Sequence, residues 1–513
     1  MLASSQRRDN NAKKEETKSR TMVPCPEDIP CGLWRIRGVD YDLSSFSERH
    51  PGGALAIDLL RGLDATNAFN QFHVFNEKHE RLLSSFSKKA TLSEKKTMHS
   101  SSAFHAEVKD MVRRHFKDKS HKASWPHVFL TTCNAVCYVA AFRGWYRGHW
   151  VSMAVLPLFA WLQMANVGHD GSHHAVSKRF PIVNELCLLS SSPLLYSYAS
   201  WYMQHCVSHH LHTNDPKMDA DLQHHPFAKW HENAESIKTP SNVIAQFAWH
   251  LTAFLLSTLN MSLVHPWKFF IVPFILKKDE TFTTFARDDN DAKFKTFKRQ
   301  GKHAPHELAF FRVAGTLFRS GFFLKHKRRV LFASLAFFSS LAFLVVPFLR
   351  FPFLKALAFA ILPYLATSLV FMVVTQISHV QADCQRPQDT TFDDFFKRQA
   401  RTALDYGRSS HLCRFLTGGL NLQSIHHVLP GINSCHYTDL YPKYFDICKR
   451  HGCDPPQRHT ILHALKDHLS HVASLAGGQR GNNNHIVHVL NNEQKNVVHD
   501  NNAPSLLLLK KTD

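Results

Sequence analysis

Trp201-Tyr202-Met203-Gln204-His205-Cys206-Val207-Ser208-His209-His210-Leu211-His212-Thr213-Asn214 carries His205, His209 and His210 as an HxxxHH cluster. Histidine is abundant here, 37 of 513 residues, so single His-His pairs and HxxxH spacings arise by chance and mean little alone. The three-histidine spacing is rarer, and its surroundings give it meaning. Upstream, in His169-Asp170-Gly171-Ser172-His173-His174, His169 and His173 stand at i and i+4 and share one helical face, just after an apolar run. Downstream, Gln423-Ser424-Ile425-His426-His427 offers an amide and two imidazoles, and His379 follows another apolar run by one turn.

Those runs decide the fold class. Val128–Phe142, Trp150–Val167, Val330–Leu349 and Phe351–Thr375 are each roughly long enough to cross about 30 Å of hydrocarbon as a helix. They predict an all-α polytopic membrane domain with at least four transmembrane helices. Ile182–Ala199 and Val243–Leu276 are broken by Ser, His265-Pro266 or Pro273, and read as interfacial, re-entrant or paired crossings. The mean hydropathy of −0.24 hides all this because polar ends dilute the average.

The net charge of +20 does not indicate nucleic acid, since Lys and Arg crowd beside apolar runs rather than along one polar face. Residues 277–329 hold 14 Lys or Arg against 6 acids, the excess expected of a cytosolic loop. Residues 1–30 are polar, without the apolar core of a cleavable signal, so a cytosolic N-terminus is expected. Two spans then return the chain to the cytosol before His169, and two more before His379. The histidine clusters form a cytosolic cap on the membrane domain. Eleven Cys without a CxxC pair suggest neither a zinc ribbon nor a disulfide framework.

Eight imidazoles, His169, His173, His205, His209, His210, His379, His426 and His427, together with Gln423, exceed the four ligands of a structural zinc site. Imidazole suits iron, and this number implies two metals. Two ferrous ions with O2 can take hydrogen from an unactivated CH2, which no amino-acid side chain can do. Asp170, Asp215, Asp219 and Asp221 are candidates to orient the metal-bound rings, with a solvated surface acid as the plainer reading of each. His212, His224, His225, His436 and the tail histidines read as bystanders. Trp201 reads equally as the lining of an acyl tunnel or an interfacial anchor.

A second constellation precedes the membrane domain. In Tyr41-Asp42-Leu43-Ser44-Ser45-Phe46-Ser47-Glu48-Arg49-His50-Pro51-Gly52-Gly53, a glycine turn follows a histidine and allows close approach of a flat ligand. His73 supplies a second imidazole for the opposite axial position of a heme iron, with His79 as the competing choice. Two histidine ligands leave no open position and suit electron transfer.

Residues from about Leu33 to Phe86 resemble the cytochrome b5 family, through HPGG and through Asp64-Ala65-Thr66 followed by Phe72-His73. The resemblance implies an α+β heme domain with heme b held by His50 and His73. The boxes HxxxH, HxxxHH and QxxHH resemble those of the membrane fatty acid desaturases, and Gln423 opening the third box resembles their front-end members, which carry an N-terminal cytochrome b5. This second likeness runs over about residues 31–460, with extended matches at Trp201–Asn214 and Gly419–Tyr437. It implies His169, His173, His205, His209, His210, Gln423, His426 and His427 as metal-site residues. His379, with Thr375 and Gln376 beside it, is similar to the extra ligand that follows the last span in related enzymes. No catalytic residue separate from these ligands is implied. Ile425 stands where the family usually has Glu, and His174 where it has a small residue.

The expected organisation is a disordered lead (1–30), a cytochrome b5-like heme domain (31–90), a linker (91–124), a membrane desaturase domain (125–477) and a polar tail (478–513). The tail ends in Lys510-Lys511-Thr512-Asp513, which resembles a dilysine signal for the endoplasmic reticulum and implies a cytosolic C-terminus. The resemblance further implies two non-heme Fe, electrons from NADH through a separate cytochrome b5 reductase, and a long-chain acyl substrate carried on CoA or a glycerolipid. Front-end members insert a cis double bond between an existing one and the carboxyl end. Competing readings are a sphingolipid long-chain-base desaturase, a cytochrome b5-fused lipid hydroxylase, and a non-enzymatic heme-bearing membrane metal protein. The last predicts ligands within the spans instead of at their ends.

Overall fold

The computed structural model describes residues 33–52, 57, 60, 61, 64–75, 78–86, 102–195, 201–215, 219, 221, 229, 230, 242–267, 327–384 and 394–476. The polar lead, the Ser/Lys connector, the basic loop before residue 327, His224, His225 and the tail with its dilysine lie outside them.

In the N-terminal unit, strands β1 (Trp34–Ile36) and β2 (Val39–Tyr41) pair antiparallel, Trp34 opposite Tyr41. The two-residue turn between them, Arg37-Gly38, has both φ angles positive, 53 and 76 degrees, as a tight hairpin of right-handed twist requires. Alternation sends Trp34 and Ile36 inward, while Arg35 pairs with Asp40 at 2.7 Å. Helices α1 (Thr66–Phe72) and α2 (Lys78–Ser84) complete the described part of this unit. A small core of Trp34, Ile36, Tyr41, Leu43, Ala65 and Leu83 joins strands and helices, giving the α+β unit expected of a cytochrome b5 domain.

After α3 (Ala103–His115), the described residues are all-α apart from two dipeptide strands, β3 (Asp405–Tyr406) and β4 (Gln457–Arg458). Among the described residues, four helices are long and apolar enough to cross a membrane: Trp150–Ser172, Val243–Val264, Leu331–Arg350 and Phe353–Gln376. The described part of the run left open at Val243 forms one long helix. The run at Val128–Phe142 lies in α4 (Trp125–Tyr146), as long as these but diluted by Thr131, Thr132 and Asn134. α4 turns back at residues 147–149 and packs along α5 (Trp150–Gln163). Among the described residues, the run at Ile182 gives α6 (Pro181–Leu189), whose nine residues cannot span the hydrocarbon, and which packs under the end of α5.

The remaining long helices, α7 (Val243–Leu259), α8 (Lys327–Arg350) and α9 (Phe353–Gln376), pack around α5 through α9. Leu349 and Leu354 remain 78% exposed, an arrangement suited to lipid rather than water. The cap is built from α10 (Phe395–Arg401), α11 (His411–Thr417), α12 (Gln423–Val428), α13 (Tyr437–Arg450) and α14 (Ile461–Ser474).

α5 continues through a π-helical turn, Met164–Gly168, into His169–Ser172 without a break. Gly171 lets this end press on α6: a Cβ there would lie 2.6 Å from the Asn184 carbonyl oxygen and 2.8 Å from Cys187 Cβ. Both neighbours are fixed by the helix they belong to. Gly171→Ala is expected to lower stability by about 1–3 kcal/mol, read as a lower melting temperature of the detergent-solubilised protein.

Candidate metal centre

Local backbone geometry aims the first two boxes. In the π-helical segment Tyr202–His209 the turn closes five residues on, and the His210 amide donates to the His205 carbonyl. Residues i+4 and i+5 then flank residue i, so His209 and His210 both lie beside His205. In a regular α-helix His210 would rotate away by a further quarter turn. The third box is set by Asp405, whose carboxylate accepts from the Ser424 amide at 3.0 Å, the Ser424 hydroxyl at 2.5 Å and the Tyr441 hydroxyl at 2.7 Å. This anchors the first turn of α12 and thereby His426 and His427.

All eight histidines expected at the metal site are buried and meet in one cluster. Ring nitrogens of His169, His173, His205 and His426 lie within 4.8 Å of one another; so do those of His209, His379 and His427. His205 and His209 also form a group with Asp221, linking the two. The Nε2 atoms of His169 and His205 are 3.1 Å apart, those of His205 and His210 3.2 Å, and those of His379 and His427 3.2 Å.

The far side of several rings is tied down. His205 Nδ1 donates to Asp221 at 3.1 Å, His209 Nδ1 to both oxygens of Asp219 at 3.0 Å, and His379 Nδ1 to the Thr402 carbonyl at 3.2 Å. His427 Nδ1 donates to the Thr213 hydroxyl oxygen at 3.2 Å, and His426 Nδ1 pairs with the Tyr437 hydroxyl at 3.1 Å. With Nδ1 carrying the proton, Nε2 presents a lone pair. His379 and His427 therefore point two lone pairs at each other across 3.2 Å, which is repulsive unless a cation lies between them. The Nε2 atoms of His173 and His426 and the Gln423 carbonyl oxygen are buried with no hydrogen-bond partner. This donor set fits metal ions, and its neutral nitrogens fit iron.

Burial holds the rings neutral. It pushes His205 down to about 4 and His210, His426 and His427 well below the usual imidazole value. At His209 burial also acts downward, but the Asp219 and Asp221 carboxylates outweigh it and the net shift is upward. Asp219 is fully buried and braced by the amides of Asn214 and Asp221 at 2.8 and 2.9 Å.

Other residues fall outside the cluster. Asp170 accepts from the Ser434 hydroxyl at 2.8 Å rather than from a histidine. His174 faces the Tyr202 hydroxyl, and His436 the Lys122 carbonyl. Asp219 and Asp221 correct the surface-acid reading, because both are buried against the rings of His209 and His205. Thr213, Thr402 and Tyr437 were not singled out as ring partners, although Thr213 and Tyr437 lie within the extended motif matches. Trp201 is buried and stacks on His205 at 4.3 Å, so it is no interfacial anchor. With Phe371, Thr375, Gln376 and Leu420 it lines a cavity that also meets His169, His209, His379 and Gln423.

In the N-terminal unit the His50 and His73 ring centroids are 6.1 Å apart, room for one metal held by a nitrogen of each ring at about 2 Å. His73 Nδ1 donates to the Phe69 carbonyl at 2.7 Å, leaving Nε2 for iron. A Cβ on Gly52 would lie 2.9 Å from His50 Cε1, which explains glycine in that turn. The competing His79 packs beside His73, ring centroids 4.9 Å apart, with its Nε2 3.5 Å from Glu80.

A family model for fatty acid desaturases matches residues 144–454. The chain belongs to the fatty acid desaturase family. A model of the cytochrome b5-like heme/steroid binding domain matches residues 28–93. Acyl-lipid omega-13 desaturase of Chlamydomonas reinhardtii is 32% identical, over 87% of this chain and 94% of the relative. Acyl-lipid (8-3)-desaturase of Mortierella alpina is 23% identical over 86% and 93%, and Delta(8)-fatty-acid desaturase 2 of Arabidopsis thaliana 26% identical over 85% and 89%. The desaturase is thus an oxygen-dependent oxidoreductase of the front-end type, with heme in its fused cytochrome b5 domain and a diiron site among its histidines. It is embedded in a membrane by several spans and acts on an acyl lipid.

Replacing Asp219 by Asn removes the anion that orients His209 while keeping its shape. The desaturase is expected to lose about 10–100-fold in iron affinity or activity, checked by metal analysis of the purified variant alongside product formation.

Proposed function

We propose that this desaturase inserts a cis double bond into a long-chain polyunsaturated acyl group, between an existing double bond and the carboxyl end. The observation that carries this reading is the buried set of imidazoles with facing lone pairs, beside a cavity whose apolar side is Trp201, Phe371 and Leu420. His169, His173, His205, His209, His210, His379, Gln423, His426 and His427 are the proposed metal-site residues, and His50 and His73 the heme ligands. The proposed units are 31–90 for the heme domain, 91–124 for the linker and 125–477 for the membrane domain.

When bound, the iron pair supplies O2 activation strong enough to remove two vicinal hydrogens from the acyl chain, with O2 leaving as water. The chain's own residues do the rest. Asp219, Asp221, Thr402 and Thr213 fix the ring orientations, so that the nitrogens converge without rearrangement. Trp201, Phe371 and Leu420 exclude water and seat the acyl chain, and the depth of that seat sets which carbons reach the site.

NADH, through a separate cytochrome b5 reductase, is the proposed electron source. The names of the relatives, omega-13, (8-3) and Delta(8), give different bond positions, and the acyl carrier is proposed as a glycerolipid after the acyl-lipid names among them. The dilysine-like end supports an endoplasmic reticulum membrane, with both termini cytosolic.

Yeast expressing the desaturase and fed several polyunsaturated acids is expected to accumulate acids with one further cis double bond nearer the carboxyl end, identified by mass spectrometry of derivatised lipids. New hydroxyl groups or altered long-chain bases would overturn the reading. His209→Ala and His426→Ala should abolish product and leave heme absorbance intact, whereas His73→Ala should remove the heme band and leave bound iron unchanged.

A further inference from the structure

The heme domain does not stand clear of the membrane domain. Gln71, at the end of α1, is buried, and its Nε2 donates to the His427 backbone carbonyl at 2.7 Å. The next residue, Phe72, lies with its ring 6.3 Å from that of His173, the two planes within 19 degrees. The same ring edge lies against Gly431, where an added Cβ would come within 3.7 Å of Phe72 Cδ1. On the other side of His73, Val74 is buried in a core shared with Leu422, Ile425 and Val428, and its carbonyl accepts from Arg113 Nε at 3.0 Å. Both neighbours of the heme ligand are therefore fastened to the residues that carry the third histidine box.

Burying the Gln71 amide would cost stability without a partner. Its one partner for Nε2 is a carbonyl of a proposed iron-ligand residue, so the contact also fixes where α1 sits relative to the metal cluster. A free-swinging electron carrier would need no such contact.

We propose that Phe72, held in register by Gln71, is a positioning residue that bridges the heme ligand His73 to the iron ligand His173 and carries electrons between the two centres within one chain. The proposal rests on the reading of His50 and His73 as heme ligands and of His173 as an iron ligand. Each passage oxidises ferrous heme to ferric and delivers one electron to the iron pair. Two passages, two hydrogens from acyl C–H bonds and two protons from solvent complete the reduction of one O2 to two waters. A flavoprotein reductase using NADH restores each heme electron.

The test uses the full chain loaded with heme and iron, reduced anaerobically and then mixed with acyl substrate and O2 in a stopped-flow instrument. Phe72→Leu should keep the heme spectrum and its reduction by NADH and reductase, but slow heme reoxidation by about tenfold or more, as expected when a small displacement disturbs a set geometry. Phe72→Trp should restore the rate. Reoxidation of Phe72→Leu at the wild-type rate would overturn the bridge. His426→Ala serves as the control for the iron reading: if substrate-dependent reoxidation persists in it, the iron-ligand assignment fails, whereas its loss there with a normal rate in Phe72→Leu removes the bridge alone. Hydrogen exchange without iron reads the docking separately. Amides of residues 71–75 should exchange slowly in the wild type and faster in the double variant Gln71→Ala, Phe72→Asp; equal exchange in the two would overturn the docking.

Discussion

Imidazole nitrogens that face one another with lone pairs, in a space closed to water, are the constraint on which the rest of this molecule depends. Each facing pair is unfavourable in the bare protein, and each becomes favourable when a divalent cation lies between its members. The fold must therefore hold the eight rings, His379 and His427 facing each other among them, in place before a metal can reward it. It pins several of them at Nδ1. Asp219, Asp221, Thr402 and Thr213 each hold one ring from behind, and Asp221 also lines the cavity.

Backbone irregularity serves the same end. Regular α-helices would bring the two members of an HxxxH motif to one face, and no more. The π-helical segments at Met164–Gly168 and Tyr202–His209 insert a residue into the turn, shifting the helix face just ahead of the first box and along the second. An α-helical count on the sequence could not anticipate them, because nothing in Met164-Ala165-Asn166-Val167-Gly168 distinguishes a π turn from an α turn. What it could read was motif spacing, which is why His205, His209 and His210 were identified together before their geometry was known.

Legibility followed the range of the interaction. Hydropathy is local, so the spans from Trp150, from residue 330 and from residue 351 emerged close to their positions in the structure. The stretch at Val243 was ambiguous because Pro266 and Pro273 mark it as broken, whereas helical backbone runs from Val243 past Val264 and on through Pro266. α4 reads as apolar in a short window and is diluted over its full length by Asn134, which turns inward to Gln163. The acids were the hardest to read. Asp219 and Asp221 stand in a polar stretch, and their burial depends on Asn214, Gln204 and the rings of box two, contacts set by the folded segment after that box rather than by any pattern in it.

Charge balance explains why those acids matter more here than the departures in the motifs. Eight imidazoles and one amide, the proposed donors, would leave the positive charge of two metal ions uncompensated at the first contact. Ile425, where a carboxylate is usual, is buried among Leu422, Val428 and Leu429 and adds none. Among the described residues, Asp219 and Asp221 are the carboxylates that touch ligand rings, one through His209 and one through His205. Negative charge reaches the centre through the imidazole Nδ1–H bonds, raising the basicity of the ring nitrogens opposite. Both acids act on box-two histidines, and an oxygen of Asp221 lies within 4.8 Å of nitrogens of both of those rings. The HxxxHH motif is therefore more than a proposed ligand set: through His205 and His209 it is the route by which Asp221 and Asp219 would stabilise bound metal ions.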